Sequence, residues 1–382
     1  MKRETELDLL SELAGLREAG SAFLDETVTR SPVDRYLDPD RFEAERRDLF
    51  RALPTIAAHS GELAEPDSFL RRQLAGLPVL LTRDSDGRAH AFLNVCRHRG
   101  ARLVDDPSGC RKRFTCPYHA WTWDNRGALR AIPHREQGFP GLDESELGLR
   151  RLPCEERHGW IWIVADPDRE LDLDAHLGEI GADLDWLGMT GCRVAHAQEI
   201  DCRANWKVLI EGGLEAYHFR VAHRNTIAPY FPDNLSSYET FGPHMRSVLP
   251  REGLERHVAR APADWSIREA ANIIYSLFPT NQLLVQSDHV AWVQLEPVAA
   301  DRTLIRLSTV VPGGPEDATA ERAAHWRQNH AITSRTLSED FAIGESVQSG
   351  FATGANAMLN FGRFEGALDR FNLIVEGYLA IG

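Results

Sequence analysis

Two short segments of the chain each contain one cysteine and one histidine. Cys96 and His98 lie in N-V-C-R-H-R-G, and after seventeen intervening residues Cys116 and His119 lie in C-P-Y-H-A-W. Two thiolates and two imidazoles on two loops can hold a metal centre. A [2Fe–2S] cluster of the Rieske type uses this donor set, with two cysteines on one iron and two histidines on the other. The spacing therefore predicts a one-electron carrier of this type.

A structural zinc site of Cys₂His₂ composition is the alternative. Zinc sites favour like ligands in pairs, as C-x₂₋₄-C and H-x₃₋₅-H. Here each segment supplies one cysteine and one histidine, so each loop can contribute to both irons of a cluster. The mixed pairing favours the cluster over zinc.

A second candidate metal site lies in N-W-K-V-L-I-E-G-G-L-E-A-Y-H-F-R-V-A-H, residues 205–223. His218 and His223, with carboxylates just upstream, could form the local half of a 2-His-1-carboxylate site, which leaves coordination positions open in non-haem Fe(II) oxygenases. We expect this segment to be helical. Histidines five residues apart point about 140° away from each other on a regular helix. We therefore predict an irregularity at Phe219–Ala222; otherwise one of the two is a capping or core histidine.

Residues 94–123 resemble the Rieske domain of ring-hydroxylating and related Rieske oxygenases. The G-W-I-W segment at 159–162 is similar to a late strand of that domain, and the resemblance extends from about Phe42 to Leu379. It implies that two cysteines hold the inner iron and two histidines the outer iron, namely Cys96 and Cys116, and His98 and His119.

The third iron ligand is implied by the same resemblance. The segment S-E-D-F-A-I-G-E-S-V-Q-S-G-F, residues 338–351, is similar to the part of the family that supplies this ligand. The matching residue is Asp340, and Glu339 is its neighbour and competitor. The resemblance thus implies a mononuclear Fe(II) held by His218, His223 and Asp340.

Glu215 lies three residues before His218, on nearly the same face of the predicted helix. In the resembled family the acid here is usually Asp, and it links an iron-ligating histidine to a cluster-ligating histidine of a neighbouring subunit. This implies that Glu215, with an arm one methylene longer, joins His218 to a neighbour's His119, orienting both rings. Asn205 is expected to be a further polar group behind the ligands, whereas Glu211 could equally be a salt-bridge partner.

The expected fold class is α+β. An all-β Rieske [2Fe–2S] domain is inserted before a helix-grip (START-like) catalytic domain, in which a curved antiparallel sheet packs on long helices. Residues 1–50 are predicted to be an N-terminal helical segment that packs on the catalytic domain, with a first helix over 1–30. The Rieske domain is assigned to 51–165 and the catalytic mononuclear iron domain to 166–382, with helices over 316–350 and 367–379.

Length and composition exclude several protein classes. The 382 residues suit two domains. The sequence contains no run of eighteen apolar residues, so a membrane span is not predicted. The acidic, amphipathic N-terminus is unlike a signal peptide, and a net charge of −14 argues against nucleic acid and anionic membranes as partners. The other four cysteines lack framework spacing, which predicts free thiols in a reducing cytoplasm: Cys110, Cys154, Cys192 and Cys202.

Electrons must come from a partner protein. The chain has neither G-x-G-x-x-G after a strand nor the plant-type C-x₄-C-x₂-C ferredoxin run, so NAD(P)H could act only through a separate ferredoxin or flavin/ferredoxin reductase. Basic residues near the cluster loops could steer an acidic redox partner or form subunit contacts. Head-to-tail packing would bring one chain's cluster to the next chain's iron and close a ring, and the resemblance implies a homotrimer. The basic residues are Arg97, Arg99, Arg102, Arg111, Lys112 and Arg113.

These features predict a terminal oxygenase that uses O₂ to hydroxylate or oxidatively demethylate a small organic substrate. Glu215 after N-W-K is similar to members that oxidise quaternary ammonium compounds, which makes such a compound one candidate. Aromatic-ring cis-dihydroxylation is the alternative, and it needs an apolar slot. A cationic amine would need an acid or an aromatic cage, for which the candidates are Tyr217, Tyr275, Phe278 and Trp292. An alternative of another class is a Rieske electron-transfer protein with a ligand-binding domain.

Overall fold

The structure is a computed structural model that describes residues 1–314, 317 and 319–379. Its contacts divide the chain into two compact units, one formed by Met1–Leu49 together with Leu177–Gly382 and the other by Phe50–His176. The first unit, called here the catalytic unit, thus contains both ends of the chain. The second, the cluster unit, is inserted between them in sequence. Within the described residues, every helix is too short or too polar to cross a membrane.

The helices and strands follow one another in chain order. The α-helices are α1 (Arg3–Glu18), α2 (Pro39–Glu45), α3 (Arg135–Gly138), α4 (Leu173–Leu177), α5 (Gly181–Leu187), α6 (Trp206–Glu211), α7 (Phe219–Ala222), α8 (Leu254–Val258), α9 (Ile267–Ala270), α10 (Ala320–Phe351) and α11 (Gly366–Leu379). The strands are β1 (Thr29–Pro32), β2 (Thr55–His59), β3 (Ser68–Leu74), β4 (Leu77–Arg83), β5 (Ala89–Leu93), β6 (Ser108–Cys110), β7 (Arg113–Thr115), β8 (Thr122–Asp124), β9 (Leu129–Ala131), β10 (Arg151–Leu152), β11 (Cys154–Arg157), β12 (Trp160–Ile163), β13 (Arg193–Cys202), β14 (Ser237–Phe241), β15 (His244–Pro250), β16 (Ala271–Leu277), β17 (Asn281–Val285), β18 (Val290–Ala299), β19 (Arg302–Val311) and β20 (Met358–Phe361).

The cluster unit is built from small antiparallel sheets joined by tight turns. Their strand orders are β10-β5-β4-β3-β6, β11-β12-β2 and β7-β8-β9. Asp84 and Asp124 close two predicted turns in the same way, because each accepts backbone N–H bonds from the residues two and four positions later. Gly127 in the second turn has φ +82°, and a side chain there would collide with the ring of Phe92. These turns fix the strands that carry the cysteine–histidine loops.

The catalytic unit contains a seven-stranded antiparallel sheet with the order β13-β19-β18-β17-β16-β15-β14. The long helix α10 packs on β13 and β19. Gln198 donates to Ser334 at 2.6 Å, and Thr309 bonds to His330 at 2.8 Å. The prediction of an α+β fold, with a strand-rich domain followed by an antiparallel sheet and long helices, is confirmed.

Several predicted helix boundaries are corrected. The helix expected over 1–30 ends at Glu18, because Gly20 adopts φ +60°, and the chain then extends into β1, which pairs with β20. The chain also forms a short helix that begins at Pro39, with Asp38 as its N-cap, and continues as a π-helical turn over Arg46–Phe50. The helix expected from 316 begins at Ala320; residues 315, 316 and 318, like 380–382, lie outside the described residues.

Candidate active site and cluster site

Two loops of the cluster unit have the same internal pattern of backbone hydrogen bonds. The N–H of Cys96 donates to the carbonyl five residues later at 2.8 Å, and Gly100 donates back to Cys96 at 3.0 Å. Cys116 and Ala120 make the same two bonds at 2.8 and 3.0 Å. Gly100 and Ala120 both have left-handed φ angles, +76° and +57°. The loops therefore present their ligands alike, although one has the spacing C-x-H and the other C-x-x-H.

The four predicted cluster ligands converge between these loops. Cys96 and Cys116 are buried and not in disulfides, and burial together with the neighbouring Cys116 thiol raises the pKa of Cys96. The rings of His98 and His119 lie 4.6 Å apart. Within the described residues, the Nδ1 atom of each ring is buried without a hydrogen-bond partner. Because a buried nitrogen without a partner is costly, these atoms fit ligation of a [2Fe–2S] cluster.

A second group of ligands meets in the catalytic unit. Asp340 lies on α10, and its Oδ1 is 3.0 Å from Nε2 of His223 and 3.4 Å from Nε2 of His218. The two Nε2 atoms are 3.2 Å apart, and one ligand atom from each residue falls within 4.8 Å of the others. Two imidazoles and one carboxylate are the donor set of non-haem Fe(II) sites. The structure thus brings together the three residues predicted to hold iron.

The predicted position of the helix irregularity is wrong. Phe219–Ala222 is itself a short helix, α7, and the preceding helix α6 already ends at Glu211. His218 is the N-cap of α7 and His223 its C-cap, with φ −101° and ψ 22°. The 140° argument does not apply, because neither histidine lies inside a long regular helix. Gly213 permits the break, since a Cβ there would approach the Gln282 amide to 2.7 Å.

Each histidine of this site forms a hydrogen bond through its Nδ1 atom to a separate glutamate carboxylate. Nδ1 of His218 hydrogen-bonds to Oε1 of Glu215, as the sequence suggested. Nδ1 of His223 lies 2.8 Å from Oε2 of Glu339, which also accepts a bond of 2.6 Å from the Thr226 hydroxyl. Such partners fix the orientation of a ligating imidazole and raise its basicity. From the sequence, Glu339 was considered only as a competing ligand. Its position next to Asp340 was the one feature that could have indicated its role as the partner of His223.

Carboxylates also decide the protonation of the two histidines. Burial acts to lower the pKa of His218, but hydrogen bonds to Asp340 and Glu215 outweigh it and raise the pKa to about 10. Burial likewise opposes the rise in the pKa of His223, which Asp340 and Glu339 cause. For Asp340, burial acts to raise the pKa, and the two histidines lower it. A divalent metal ion would take the place of the Nε2 protons, because ligation needs neutral imidazoles and an ionised carboxylate.

Comparison with known families agrees with both sites. Residues 189–380 match the family described as "Ring hydroxylating alpha subunit (catalytic domain)", and residues 54–153 match "Rieske [2Fe-2S] domain". The chain belongs to the ring-hydroxylating alpha-subunit family of Rieske oxygenases. The family resemblance predicted from the sequence is confirmed, and the match supports a [2Fe–2S] cluster over the zinc alternative.

Curated relatives of this Rieske chain include both dioxygenases and monooxygenases. The anthranilate 1,2-dioxygenase large subunit of Acinetobacter baylyi is 30% identical over 206 residues, 53% of this chain and 44% of the relative. The glycine betaine monooxygenase oxygenase subunit of Pseudomonas aeruginosa is 33% identical over 192 residues, 50% of this chain and 44% of the relative. The matches thus span less than half the length of these relatives. A crystal structure of the quaternary ammonium Rieske monooxygenase CntA with an inhibitor has a TM-score of 0.79 at 23% identity, covering 92% of this chain and 96% of that chain.

Asn205 caps a helix of this Rieske alpha-subunit chain. Its Oδ1 accepts the N–H of Lys207 at 2.9 Å, and its Nδ2 donates to the carbonyl of Ala300 at 2.7 Å. These bonds begin α6 and do not reach His218, His223 or Asp340. Glu211, for which a salt bridge was one alternative, accepts bonds from the Tyr36 hydroxyl and the Asn372 amide at 2.6 and 2.7 Å. Burial raises the pKa of Glu211 to about 7 despite these bonds.

A largely apolar cavity adjoins the predicted iron ligands of this Rieske alpha-subunit chain. His223 and Asp340 are part of its wall, and it contains about 780 Å³ of space between atoms, counting the part open to solvent. The other polar side chains in the wall are Asn272, Gln282 and Thr336, and the remainder are leucine, isoleucine, valine, phenylalanine and glycine. The cavity can therefore surround an apolar body next to the metal ligands.

Strand register decides which aromatic side chains reach this cavity. Tyr275 pairs with Leu283, and Leu283 pairs with Trp292, so these three share one face of the sheet. Ile274 and Leu284, one residue removed from them, pair with each other and line the cavity on the opposite face. The four residues considered for an aromatic cage around a cationic amine do not line this cavity: Tyr217, Tyr275, Phe278 and Trp292.

Replacing Glu339 with glutamine should weaken Fe(II) binding by about 10- to 100-fold, because the negative charge that supports His223 is lost. Titration of the iron-depleted chain with Fe(II) would measure this, while the visible spectrum of the cluster should not change. Glu321→Gln, on the exposed first turn of the same helix, is the matched control. Equal Fe(II) affinity in the two variants would show that Glu339 does not support the ligand.

Proposed function

We propose that the chain is the terminal oxygenase component of a Rieske non-haem iron oxygenase system. One chain contains two separate donor sets, and this observation carries the proposal. One set has two buried cysteines and two histidines with unpartnered Nδ1 atoms, and the other has two histidines and a carboxylate in mutual contact. A pure electron carrier would need only the first set.

The residues present give each centre a distinct task. When bound, a Rieske cluster at Cys96, His98, Cys116 and His119 supplies single electrons, and a mononuclear Fe(II) at His218, His223 and Asp340 supplies open positions for O₂. The carboxylates behind the two histidines hold the rings in place. The apolar wall around His223 and Asp340 positions a substrate and excludes water at the place where oxygen is transferred.

We further propose that Glu215 couples the two centres between neighbouring subunits of a head-to-tail homotrimer. Glu215 is only 9% exposed and already bonds to Nδ1 of His218. Exposed apolar side chains lie close to it in the sequence, with Tyr217 at 52% and Val221 at 74%, and Ile343, 45% exposed, lines the same space as Glu215. On the cluster unit, the half-exposed Tyr118 packs against His119. An apolar rim around a buried carboxylate suits a neighbour that brings His119 to Glu215.

Electrons would reach the cluster from NAD(P)H through a separate ferredoxin or flavin/ferredoxin reductase. The basic residues near the cluster loops provide less net charge for such a partner than their number suggests. Arg102, Arg111 and Lys112 each pair with a neighbouring aspartate. Arg97 and Arg99 instead contact the Glu146 carbonyl and the Tyr118 hydroxyl.

The proposed reaction is hydroxylation or oxidative demethylation of a small organic substrate. The apolar cavity wall favours a second candidate, cis-dihydroxylation of an aromatic ring, and the relatives named above include both reaction types. A quaternary ammonium substrate has less support. Among the described wall residues, Asp340 is the single carboxylate, and it serves as a metal ligand.

Oxygen uptake with a generic ferredoxin and reductase tests the proposal. The reconstituted chain should consume NADH and O₂ when a substrate is added. With ¹⁸O₂, one labelled atom in the product indicates monooxygenation, two indicate dihydroxylation, and formaldehyde indicates demethylation. A chain that passes electrons onward, binds about two irons and shows no substrate-dependent O₂ uptake would be an electron carrier instead.

A further inference from the structure

A second space lies beside the apolar cavity and shares part of its wall. Ile227, Phe231, Asn272 and Thr336 line both spaces. The outer space, called here the vestibule, contains about 1070 Å³ including the part open to solvent. The shared residues make the vestibule the continuation of the cavity away from the metal ligands.

The charged side chains that line the vestibule are Arg251 and Arg335, and no described carboxylate lines it. Among the described residues, neither guanidinium forms an ion pair. Arg251 is partly buried, and its Nη2 and Nε donate to Oδ1 of Asn272 at 2.6 and 3.1 Å. Arg335 is exposed on α10. The vestibule is thus positively charged in a chain whose net charge is −14.

Other arginines of the chain do form close ion pairs. Arg72 pairs with Glu62 at 2.7 Å and Arg246 with Asp183 at 2.6 Å. Burial lowers the pKa of Arg251, and the charge of Asp288 opposes that effect. Asp288 itself is already bonded to two histidines, at 2.8 Å each. Arg251, which stays protonated in any protein, therefore retains hydrogen-bonding capacity for an anion.

Resting on the function proposed above, we infer that Arg251 and Arg335 bind the carboxylate of the substrate. The apolar remainder of that substrate extends into the cavity toward His223 and Asp340. A guanidinium matches a carboxylate through two parallel N–H bonds, and Asn272 holds that of Arg251 in place. The substrate class is an apolar, one- or two-ring carboxylic acid.

The position of Arg335 relates the vestibule to the metal ligands. Arg335 lies five residues before Asp340 on α10, which separates them by about 7.5 Å along the helix axis and turns them about 140° from each other around it. Thr336 lies between them and lines both spaces. A cation in place of the carboxylate would meet the two positive charges of the vestibule.

Binding of a matched pair of probes to the metal-loaded chain tests the inference. 2-Naphthoate and its neutral amide, 2-naphthamide, have the same shape, and calorimetry would give both dissociation constants. The wild-type chain should prefer the carboxylate. Arg335→Gln should weaken naphthoate binding by about 10-fold or more and leave the amide unchanged. Arg327→Gln removes the same charge from an exposed position of the same helix, outside both spaces, and should change neither constant.

The outcomes separate the two proposals. If the wild-type chain binds the amide as tightly as the carboxylate, or if Arg335→Gln weakens both equally, the vestibule does not recognise an anion, even where a neutral substrate supports O₂ uptake. If the carboxylate preference and its loss in Arg335→Gln are observed but no carboxylic acid or other substrate supports O₂ uptake, the vestibule inference stands and the oxygenase function fails.

Discussion

Asp340→Ala is expected to remove the mononuclear iron and reduce substrate turnover to the background rate. The Asp340 carboxylate is the single acidic member of the ligand set and lies 3.0 and 3.4 Å from the two histidine Nε2 atoms. Without it, two neutral imidazoles remain, and they bind Fe(II) far more weakly than the full triad. Iron should fall from about three to about two per chain, because the cluster ligands lie in the other unit.

Glu321→Ala provides the matched control on the same helix, and circular dichroism would verify that both variants fold. The control should retain all its iron and its full turnover. Asp340→Ala with unchanged iron content would show that another group is the third ligand. If its iron content falls but turnover persists, the reaction does not occur at this site.

Glu215→Gln should retain both metal centres and yet slow oxidation of the reduced cluster by about 100-fold or more. The glutamine can still accept the bond from Nδ1 of His218, so iron should remain bound. It loses the negative charge and one acceptor, and its amide nitrogen cannot accept the N–H of a neighbour's His119. Stopped-flow absorbance of the reduced cluster, mixed with O₂ and substrate, would measure the rate.

Glu215→Asp keeps the charge on a shorter arm, so it should slow cluster oxidation much less than Glu215→Gln. This order separates a coupling role from a merely structural one, since both variants alter packing at the same position. Oxidation as fast in Glu215→Gln as in the wild-type chain would contradict the coupling role. His119→Ala should behave differently from both, because it should lose the cluster itself.

Local sequence was sufficient to find the two loops whose histidine rings meet. Cys96 and His98, like Cys116 and His119, are separated by one or two residues, so their spacing alone marks each as a candidate ligand pair. The position of Asp340 follows from tertiary packing of α10 against the segment that carries His218 and His223, more than a hundred residues earlier. The family resemblance identified that residue, and periodicity could not.

The shape of the histidine segment depends on contacts that the sequence does not reveal. A helix over 205–223 was expected, but α6 ends at Glu211, and Gly213 in the turn that follows packs closely on Gln282 of β17. The sequence also did not determine which face of the sheet lines the cavity. Moving by one residue along β16 exchanges Ile274, which lines the cavity, for Tyr275, whose hydroxyl bonds to the buried Asp183.

Arg251 shows a further limit of sequence reasoning. Its hydrogen bond to Asn272 joins two strand ends that are twenty-one residues apart, and only the fold places Arg335 in the same vestibule. Arginines in a sequence usually indicate ion pairs, such as those that Arg72 and Arg246 form here. The positively charged vestibule could therefore not be predicted before the cavity was known.

Iron and acid-labile sulfide content per chain, measured together with the electron paramagnetic resonance spectrum, tests the central claim most directly. Two centres in one chain predict about three irons and about two sulfides, with a Rieske-type signal after reduction. About two irons with two sulfides would leave His218, His223 and Asp340 without their metal. Zinc in place of iron, with no sulfide and no signal, would contradict the account at both sites.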